Sequence, residues 1–436
     1  MNLPARTNTP PRSAAPRRIN WKRNLFVIWI GQLLALSGVS FVLPFIPLYI
    51  RERFGIDDEA QLGAYVAAFN FFGMISFCIS NPIWGALGDR FGRKLMLLRS
   101  FFLNAVTMPL LMAAPGIYWL IAFRAVISCF SGTVSAAQAL VVSTTPEEKH
   151  GFALGVLSTA LWSGSVLGLL CGGMIVHFFH YRAAFLTCGA LYLVGGVLML
   201  FGVDENFVPP KEIRADAGKK RETARTKGLF NAGLLMLLAL LTLLALARRL
   251  DEPFLPMLVE KISGHGKAVL HTSFISACAA VGGILSGVLF GALSDRCPAR
   301  FLTLPALLIA GAATVVQSAS GSVTVLAVSR FITFFAVGAI EPVVLALISR
   351  ITSPEHRGAA LGWSSSARVL GGVLGAALGG AVVIRFRTRG VFLAGGVLMM
   401  LLGPASYLLI RKCFARAERT TQHSGGGSGA PGGASR

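Results

Sequence analysis

Gly85-Ala86-Leu87-Gly88-Asp89-Arg90-Phe91-Gly92-Arg93-Lys94 joins two apolar runs, Phe69 to Leu87 before it and Leu95 to Ala114 after it. Both runs have membrane-spanning length, so one acid and three bases are concentrated in a ten-residue turn between two spans. Glycine permits the tight turn and close helix approach. Asp89 has the chemistry either to cap a helix start or to pair with Arg in an exchangeable contact. The front half of the stretch recurs 206 residues later as Gly291-Ala292-Leu293-Ser294-Asp295-Arg296, with Arg300 where Lys94 would fall. A loop repeated in both its glycine and its charges points to a chain built twice.

Composition places both copies in a bilayer. The 436 residues are 54% hydrophobic and only 14% charged, with a mean hydropathy of +0.67; a soluble chain carries about a quarter charged residues. The formal net charge of +21 would raise the question of nucleic acid in a soluble protein. Here most Lys and Arg fall in tails and alternate loops, which makes them orientation signals facing anionic lipid, and no nucleic-acid partner is expected. Seven Cys, without a CxxC pair, lie mostly in apolar runs and read as small buried hydrophobes. The Pro- and Arg-rich N-terminus lacks the short apolar core of a removable signal peptide.

Twelve apolar segments of spanning length can be drawn, roughly 25–50, 61–87, 95–114, 117–142, 151–178, 182–203, 229–259, 270–293, 301–319, 323–348, 358–384 and 389–410. Lipid leaves helices as the way to satisfy the backbone of so many spans, so the expected fold is an all-α integral membrane bundle. Placing both termini in the cytoplasm puts most basic residues inside; Arg385, Arg387 and Arg389, in a turn expected outside, run against that rule. The polar break at 204–228 divides the chain into six spans plus six. The expected organisation is a cytoplasmic tail 1–24, a bundle 25–203, a cytoplasmic linker 204–228, a second bundle 229–411 and a disordered tail 412–436.

The two bundles repeat. Pro44-Phe45-Ile46-Pro47-Leu48 is echoed by Pro253-Phe254-Leu255-Pro256-Met257, Arg124 by Arg330, and Thr145-Pro146-Glu147 by Ser353-Pro354-Glu355. Gly164, Gly168, Gly172 and Gly173 align with Gly371, Gly375, Gly379 and Gly380, and Arg182-x-x-Phe185-Leu186 with Arg389-x-x-Phe392-Leu393. Two such halves are the architecture of a rocking transporter, with its substrate between them near the midplane.

Charges inside hydrocarbon cost about 2.5–3.5 kcal/mol each and mark pathways or paired sites. Glu341 lies nine residues before Arg350, about 13 Å along a helix, and is a candidate either for carrying a proton or for permanent pairing with Arg330 or Arg368. Arg248, Arg249, Asp251 and Glu252 crowd into span 7. Helical spacing brings Arg248 to Asp251 and Glu252, and Arg249 to Glu252, as a self-neutralised cluster or a gating and proton-transfer site. Arg124, seven residues into span 4, and Arg368, ten into span 11, are candidates for an anionic substrate group or for exchanging partners. Arg99, five residues into its span, is expected to reach back to the Asp89 loop. Gly164, Gly168, Gly172 and Gly173 share a helix face suited to close packing. Gln32, Asn70, Asn81 and Gln138 are polar residues suited to lining a cavity. No nucleotide-binding loop or metal-ligand spacing is visible, so neither cofactor nor metal is expected. No nucleophile–base set points to an enzyme.

Together these residues resemble the drug:H⁺ antiporter branch of the major facilitator superfamily, in its multidrug-resistance type, across residues 19–411. The likeness rests on the G-x-x-x-D-R-x-G-R-K loop, Ile19-Asn20-Trp21-Lys22-Arg23-Asn24-Leu25, Pro44-Phe45-x-Pro47-Leu48-Tyr49 and Gly92-Arg93-Lys94-Leu95-Met96-Leu97-Leu98-Arg99-Ser100. The span-4 arginine matches at Arg124, and the span-5 antiporter glycines at Gly164, Gly168, Gly172 and Gly173. Leu169 stands where that motif carries Pro, and span 1 lacks the acid found in many drug antiporters. The resemblance implies twelve helices, an inner gate built on Gly85, Asp89, Arg90, Gly92, Arg93, Lys94, Asp295 and Arg296, proton coupling at Arg124, and export. The expected partners are a small-molecule substrate, protons and the lipid of the cell inner membrane, for a multi-pass monomer. Uptake of an organic anion on Arg124, Arg330 and Arg368 stands as the alternative, with flipping of a lipid-linked molecule and a non-transporting membrane sensor behind it.

Overall fold

The computed structural model describes residues 20–205, 232–294, 299–338, 340–352 and 357–425, and their regular structure is helical. Helix α1 (Trp21–Val42) starts where the Asn20 side chain accepts from the Arg23 amide at 3.2 Å. One 3₁₀ turn leads into α2 (Ile46–Phe54), with Pro44 and Pro47 in first-turn positions whose missing N–H costs nothing. Asp58 caps α3 (Glu59–Phe91) by accepting from the Gln61 amide at 2.8 Å. The stretch expected as a ten-residue turn is much tighter: α3 runs through Phe91, and α4 (Arg93–Leu110) starts after the single residue Gly92 at φ 103°. Only glycine takes that backbone without strain.

Span 4 is two helices, α5 (Ile117–Phe130) and α6 (Thr133–Thr144), broken at Gly132, φ 117°. Helix α7 (His150–Gly202) follows. The second half holds α8 (Ala232–Arg249), α9 (Leu255–Ser263), α10 (Ala268–Ser294), α11 (Ala299–Ala319), α12 (Val323–Val337), α13 (Ile340–Ile351) and α14 (Arg357–Gly425). Residues 412–425, read from composition as a disordered tail, continue α14, because Ala, Arg and Glu are good helix formers. Most of the expected linker, 206–228, and the second loop copy, Asp295 and Arg296, lie outside the described residues.

Among the described residues nine stretches are long and apolar enough to cross a membrane. Two of them, Phe152–Gly202 and Gly362–Arg411, have 51 and 50 residues, about 75 Å of helix against a hydrocarbon core of about 30 Å. Each reverses at one strained residue, His180 at φ 63° and Arg387 at φ 62°. These positions are 207 apart, so the repeat extends to a backbone conformation that ordinary side chains avoid.

Glycine sets the packing within each half. A Cβ on Gly168 would stand 2.5 Å from the Ser37 carbonyl, and one on Gly164 or Gly172 would strike the α1 backbone at Leu33 or Phe41. Gly371, Gly375 and Gly379 press on α8 in the same way. The fourth glycine of each set faces the other half: Gly173 meets Ser273 on α10, and Gly380 meets Ala67 on α3. Lipid supplies no hydrophobic drive between helices, so this close approach is what dispersion requires.

The halves meet through α3 with α14 and α7 with α10. Gly63 packs on Val383 and Gly372 on Met74, remote from the Gly85–Lys94 loop. Toward that loop the same four helices carry Gly85, Gly155, Gly287 and Gly362, which have nothing within 4 Å of a Cβ position. Among the described residues the halves are in contact at one end and open around these four glycines at the other.

Gly168→Leu is expected to lower the thermal unfolding temperature of the detergent-purified protein by several degrees, an overpacking cost of about 1–3 kcal/mol or more, whereas Gly155→Leu leaves it unchanged. Equal behaviour of the two variants would remove the close-packing role.

Candidate functional site

The membrane-depth charges concentrate in the second half, where the helix break after Arg249 decides their partners. Because α8 ends there and Leu250–Asp251 bend before a 3₁₀ turn at Glu252–Phe254, the helical register predicted across span 7 fails. Only Arg249–Glu252 forms as predicted, at 3.3 Å, and about half exposed. Asp251 instead turns inward to an ion pair with Arg330, both residues 2% exposed. Gln317 Oε1 accepts from Arg330 at 3.2 Å, and Gln317 Nε2 donates to Thr333 at 2.9 Å. The Arg330 guanidinium also lies 5.0 Å from the Phe334 ring centroid. A buried pair satisfied this far is a fixed strut, since either charge alone would be costly.

Arg248, predicted to serve Asp251 and Glu252, reaches Glu341 at the start of α13, 3.2 Å away. Arg368 on α14 pairs with the other oxygen of Glu341. Of the two partners considered from sequence, Arg368 is found and Arg330 is not. Glu341 therefore ties α8, α13 and α14 together while remaining 27% exposed. It lines a cavity of ≈ 20 Å³ with Arg248, Leu244, Leu307, Val337 and Met399, room for about one water. A carboxylate with two guanidinium partners, partial exposure and a water-sized space is able to lose one partner without a global rearrangement.

Arg124 in the first half stands apart from these acids. Among the described residues it makes no hydrogen bond or ion pair; its Nε is buried without a partner, and the guanidinium lies 5.3 Å from the Phe69 ring. The glycine face of α7 is accounted for by close packing. Gln32 donates to the Thr133 carbonyl at 3.2 Å, Asn70 to Val66 at 2.9 Å, and Asn81 accepts from Ser135 at 3.0 Å, while Gln138 is exposed.

At the loop, Arg93 and Lys94 are fixed by a residue that sequence reasoning missed. Glu205, just after α7, accepts from the Arg93 and Lys94 amides at 2.9 and 2.8 Å, a carboxylate at a helix N-terminus. Lys94 returns Nζ to the Leu200 and Val203 carbonyls at 2.9 and 2.6 Å, and Asn24 holds Asp204 by two hydrogen bonds. Arg90 is exposed, over Phe91; Gly85 is open, and the Asp89 side chain lies outside the described set. Arg99 stacks 3.5 Å from the Trp84 centroid and donates to the Phe130 carbonyl.

Sequence reasoning also missed the contact end. Arg51 pairs with Glu260 at 2.7 Å, His265 also reaches Glu260, and Lys261 pairs with Glu59. Arg387 meets Asp58 at 3.1 Å, and the Thr388 amide donates to Glu59 at 2.6 Å. The Gln61 amide and then Arg387 hold the Asp58 carboxyl below its ordinary range. Each ion pair except His265–Glu260 joins one half to the other, which explains the basic turn at Arg387. One signal was available: Arg51 and Glu260 are repeat-equivalent, 209 apart, with opposite charge.

This is a membrane transporter fold, and the chain belongs to the Major Facilitator Superfamily, which it matches over residues 28–315 and again over 253–428. It is similar to the multidrug resistance protein MdtG of Klebsiella pneumoniae (strain 342), 30% identical over 94% of this chain and 99% of that one. It is likewise similar to the multi-drug resistance efflux pump PmrA homolog of Lactococcus lactis subsp. lactis (strain IL1403), 30% identical over 84% and 89%. Solved structures share the fold: a bacterial homolog of the human lysosomal transporter Spinster, TM-score 0.69 at 16% identity over 93% and 99%, and a D-xylose-proton symporter, 0.70 at 15% over 89% and 97%.

Asp251→Asn should strand the buried Arg330 and destabilise the protein by about 3–5 kcal/mol, whereas Glu252→Gln costs about 0–1 kcal/mol. Thermal unfolding in detergent compares them, and Asp251→Asn with Arg330→Gln should recover part of the loss. A reversed order would show that the strut lies elsewhere.

Proposed function

We propose that this chain is a secondary active transporter, not an enzyme, that exports small amphipathic molecules in exchange for protons by alternating access. The observation that carries this is Glu341, a carboxylate at membrane depth shared between two guanidinium groups, in a molecule whose described residues join the halves at one end and leave open glycines at the other. Protonating Glu341 neutralises it, removes its hold on Arg248 and Arg368, and frees α8 and α14 to move relative to α13. A few kcal/mol of differential binding between the two open states is enough to shift the population. Asp251, buried against Arg330, is the poorer proton carrier, because its charge has a fixed partner; Glu252 and Arg249 line the exposed side. The names of the MdtG and PmrA relatives, which refer to drug resistance and efflux, support export.

Counting the reversals at His180 and Arg387 as separate passes, and α12 with α13 as one, gives twelve, arranged as bundles 25–203 and 229–411 around a linker 204–228. With both termini cytoplasmic in the inner membrane, the contact end is the outer seal, the cavity opens inward, and the Gly85–Lys94 loop with Asp89, Asp295 and Arg296 forms the inner gate. The working unit is a monomer with a small-molecule substrate, protons and lipid as partners. One observation favours the second reading, movement of an organic anion: at membrane depth Arg124, Arg248, Arg249, Arg330 and Arg368 outnumber Asp251, Glu252 and Glu341.

In proteoliposomes, lipophilic cations or neutral drugs should drive release of lumenal protons by the wild type, and Glu341→Gln should abolish it. Equal behaviour of the two proteins would make Glu341 structural. Glu260→Gln removes one outer pair from a carboxylate 5% exposed; loss of such a buried partner should raise the outward-open population about ten-fold or more. Spin-label distances across the outer end read that shift, and an unchanged distribution would mean that the pair does not hold the seal.

A further inference from the structure

Among the described ion pairs at the contact end, one centre contains a side chain whose charge changes near neutral pH. Arg387–Asp58 and Lys261–Glu59 are built from residue types that stay charged from about pH 5 to 8. Glu260 is different. Its carboxylate, 5% exposed at the end of α9, answers Arg51 of the first half through Oε2 at 2.7 Å and His265 of its own half through Oε1. Histidine is the residue type whose ordinary protonation falls inside that range. His265 lies on the turn between α9 and α10 and is 60% exposed, so protons in the solution reach it without crossing the protein.

The other charges near this centre are engaged elsewhere or open to water. On α2, Glu52 and Arg53 are exposed. On α9, Lys261 is held by Glu59. Lys267 on the turn is exposed, and His271 on α10 is half-buried. From α7 come Tyr181, a phenol near both Glu52 and Glu260, and the exposed His177, His180 and Arg182. On α14, Arg385 lies over Phe386, Arg387 meets Asp58 and Arg389 donates to the Ser320 carbonyl; on α12, Arg330 is taken by Asp251.

We propose that His265 is a pH-operated substitute for Arg51, which lowers the cost of opening the contact end when the solution outside it is acid. This rests on the transporter reading above, in which that end is the outer seal. In the sealed state Glu260 already faces the fixed charge of Arg51, and that guanidinium opposes a second cation at the same carboxylate. When the halves part, Arg51 leaves with α2 and His265 stays with α9. The imidazole then faces Glu260 alone and binds a proton more tightly than before. The state that binds the proton more tightly gains population as pH falls. Acid therefore favours the open outer end, and alkali favours the sealed one, in which neutral His265 offers Glu260 only a hydrogen bond. An exchanger that takes up protons from outside would in this way present its open face when protons are plentiful there.

The test uses the full-length protein in nanodiscs, with its native cysteines replaced by alanine and a spin label on each half at the contact end, through Gly116→Cys and Gly321→Cys. Neither glycine has an atom within 4 Å of a Cβ position. Label distances are read from about pH 8 to about pH 5.5. In this parent the open population should rise about five-fold or more across the interval. His265→Gln should hold it near the parent's alkaline value throughout, and His265→Lys, charged at every pH in the interval, near the parent's acid value. His177→Gln and His271→Gln should keep the parent's response. On the transporter reading Glu341 also takes up protons, so the series is repeated with Glu341→Gln, where the rise that depends on His265 should remain. A flat profile in the parent, a full response in His265→Gln or His265→Lys, or its loss in His177→Gln, His271→Gln or Glu341→Gln would overturn the proposal. If the response through His265 is present but no drug drives proton release from proteoliposomes, the pH-operated contact stands and the transporter reading fails. If drugs drive proton release and the distances ignore His265, the transporter reading stands and this proposal fails.

Discussion

An uncompensated charge in hydrocarbon is the constraint on which this molecule is built. The backbone answers its own polar groups by staying helical nearly throughout, with breaks at Gly92, Gly132, His180 and Arg387 reduced to one or two residues. The side chains answer theirs by pairing. Asp251 with Arg330 is the desolvated case, hydrogen-bonded further by Gln317. Glu341 with Arg248 and Arg368 is the adjustable case, still reached by water. On the proposed reading, a fixed strut and an adjustable clamp separate folding stability from conformational change within the same half.

Duplication explains the scaffold, and departures from duplication explain the chemistry. Glycine faces on α7 and α14, strained reversals at His180 and Arg387, and fourth glycines that face the opposite half all recur at one spacing. Where the halves differ, charge is involved. Val42 replaces Asp251, Leu111 replaces Gln317, and Arg51 opposes Glu260 across the pseudo-twofold relation. An ion pair between repeat-equivalent positions can arise only after the copies diverge, since identical residues there would repel or leave both sides neutral.

Much of the fold was legible in the sequence because apolar length, the polar break after Asp204 and the repeat each survive uncertainty of a few residues. The glycine face was legible for the same reason: its spacing is local, and close packing follows from it. Partner choice was not. Helical spacing assigned Arg248 to Asp251 and Glu252, but one bend at Leu250 redirected both Arg248 and Asp251 to other helices, and no periodicity reports such a bend. Glu205, Glu260 and Lys261 were overlooked because each sits at a helix end, where charges are common and cheap. Arg387 was noticed only as a breach of the orientation rule; its partner, Asp58, lies 329 residues away.

The placement of the inter-half pairs bears on how such a molecule could cycle. Arg387–Asp58 and Lys261–Glu59 involve partly exposed side chains, and water replaces partners there at little cost. Only Glu260 is deeply covered, yet it has two cationic neighbours, Arg51 and His265, so losing one leaves the other in place. The closed end is thus held by partly exposed pairs and by Arg51–Glu260, whose opening still leaves Glu260 its own-half neighbour His265, whereas the Asp251–Arg330 pair inside the second half is desolvated. Opening that end exchanges protein partners for water and leaves the Asp251–Arg330 strut untouched, so each half moves as a body. On the proposed antiport reading the free-energy difference between the states rests on few groups, and Glu341, 27% exposed, is a carboxylate whose charge can change without stranding a fully buried partner.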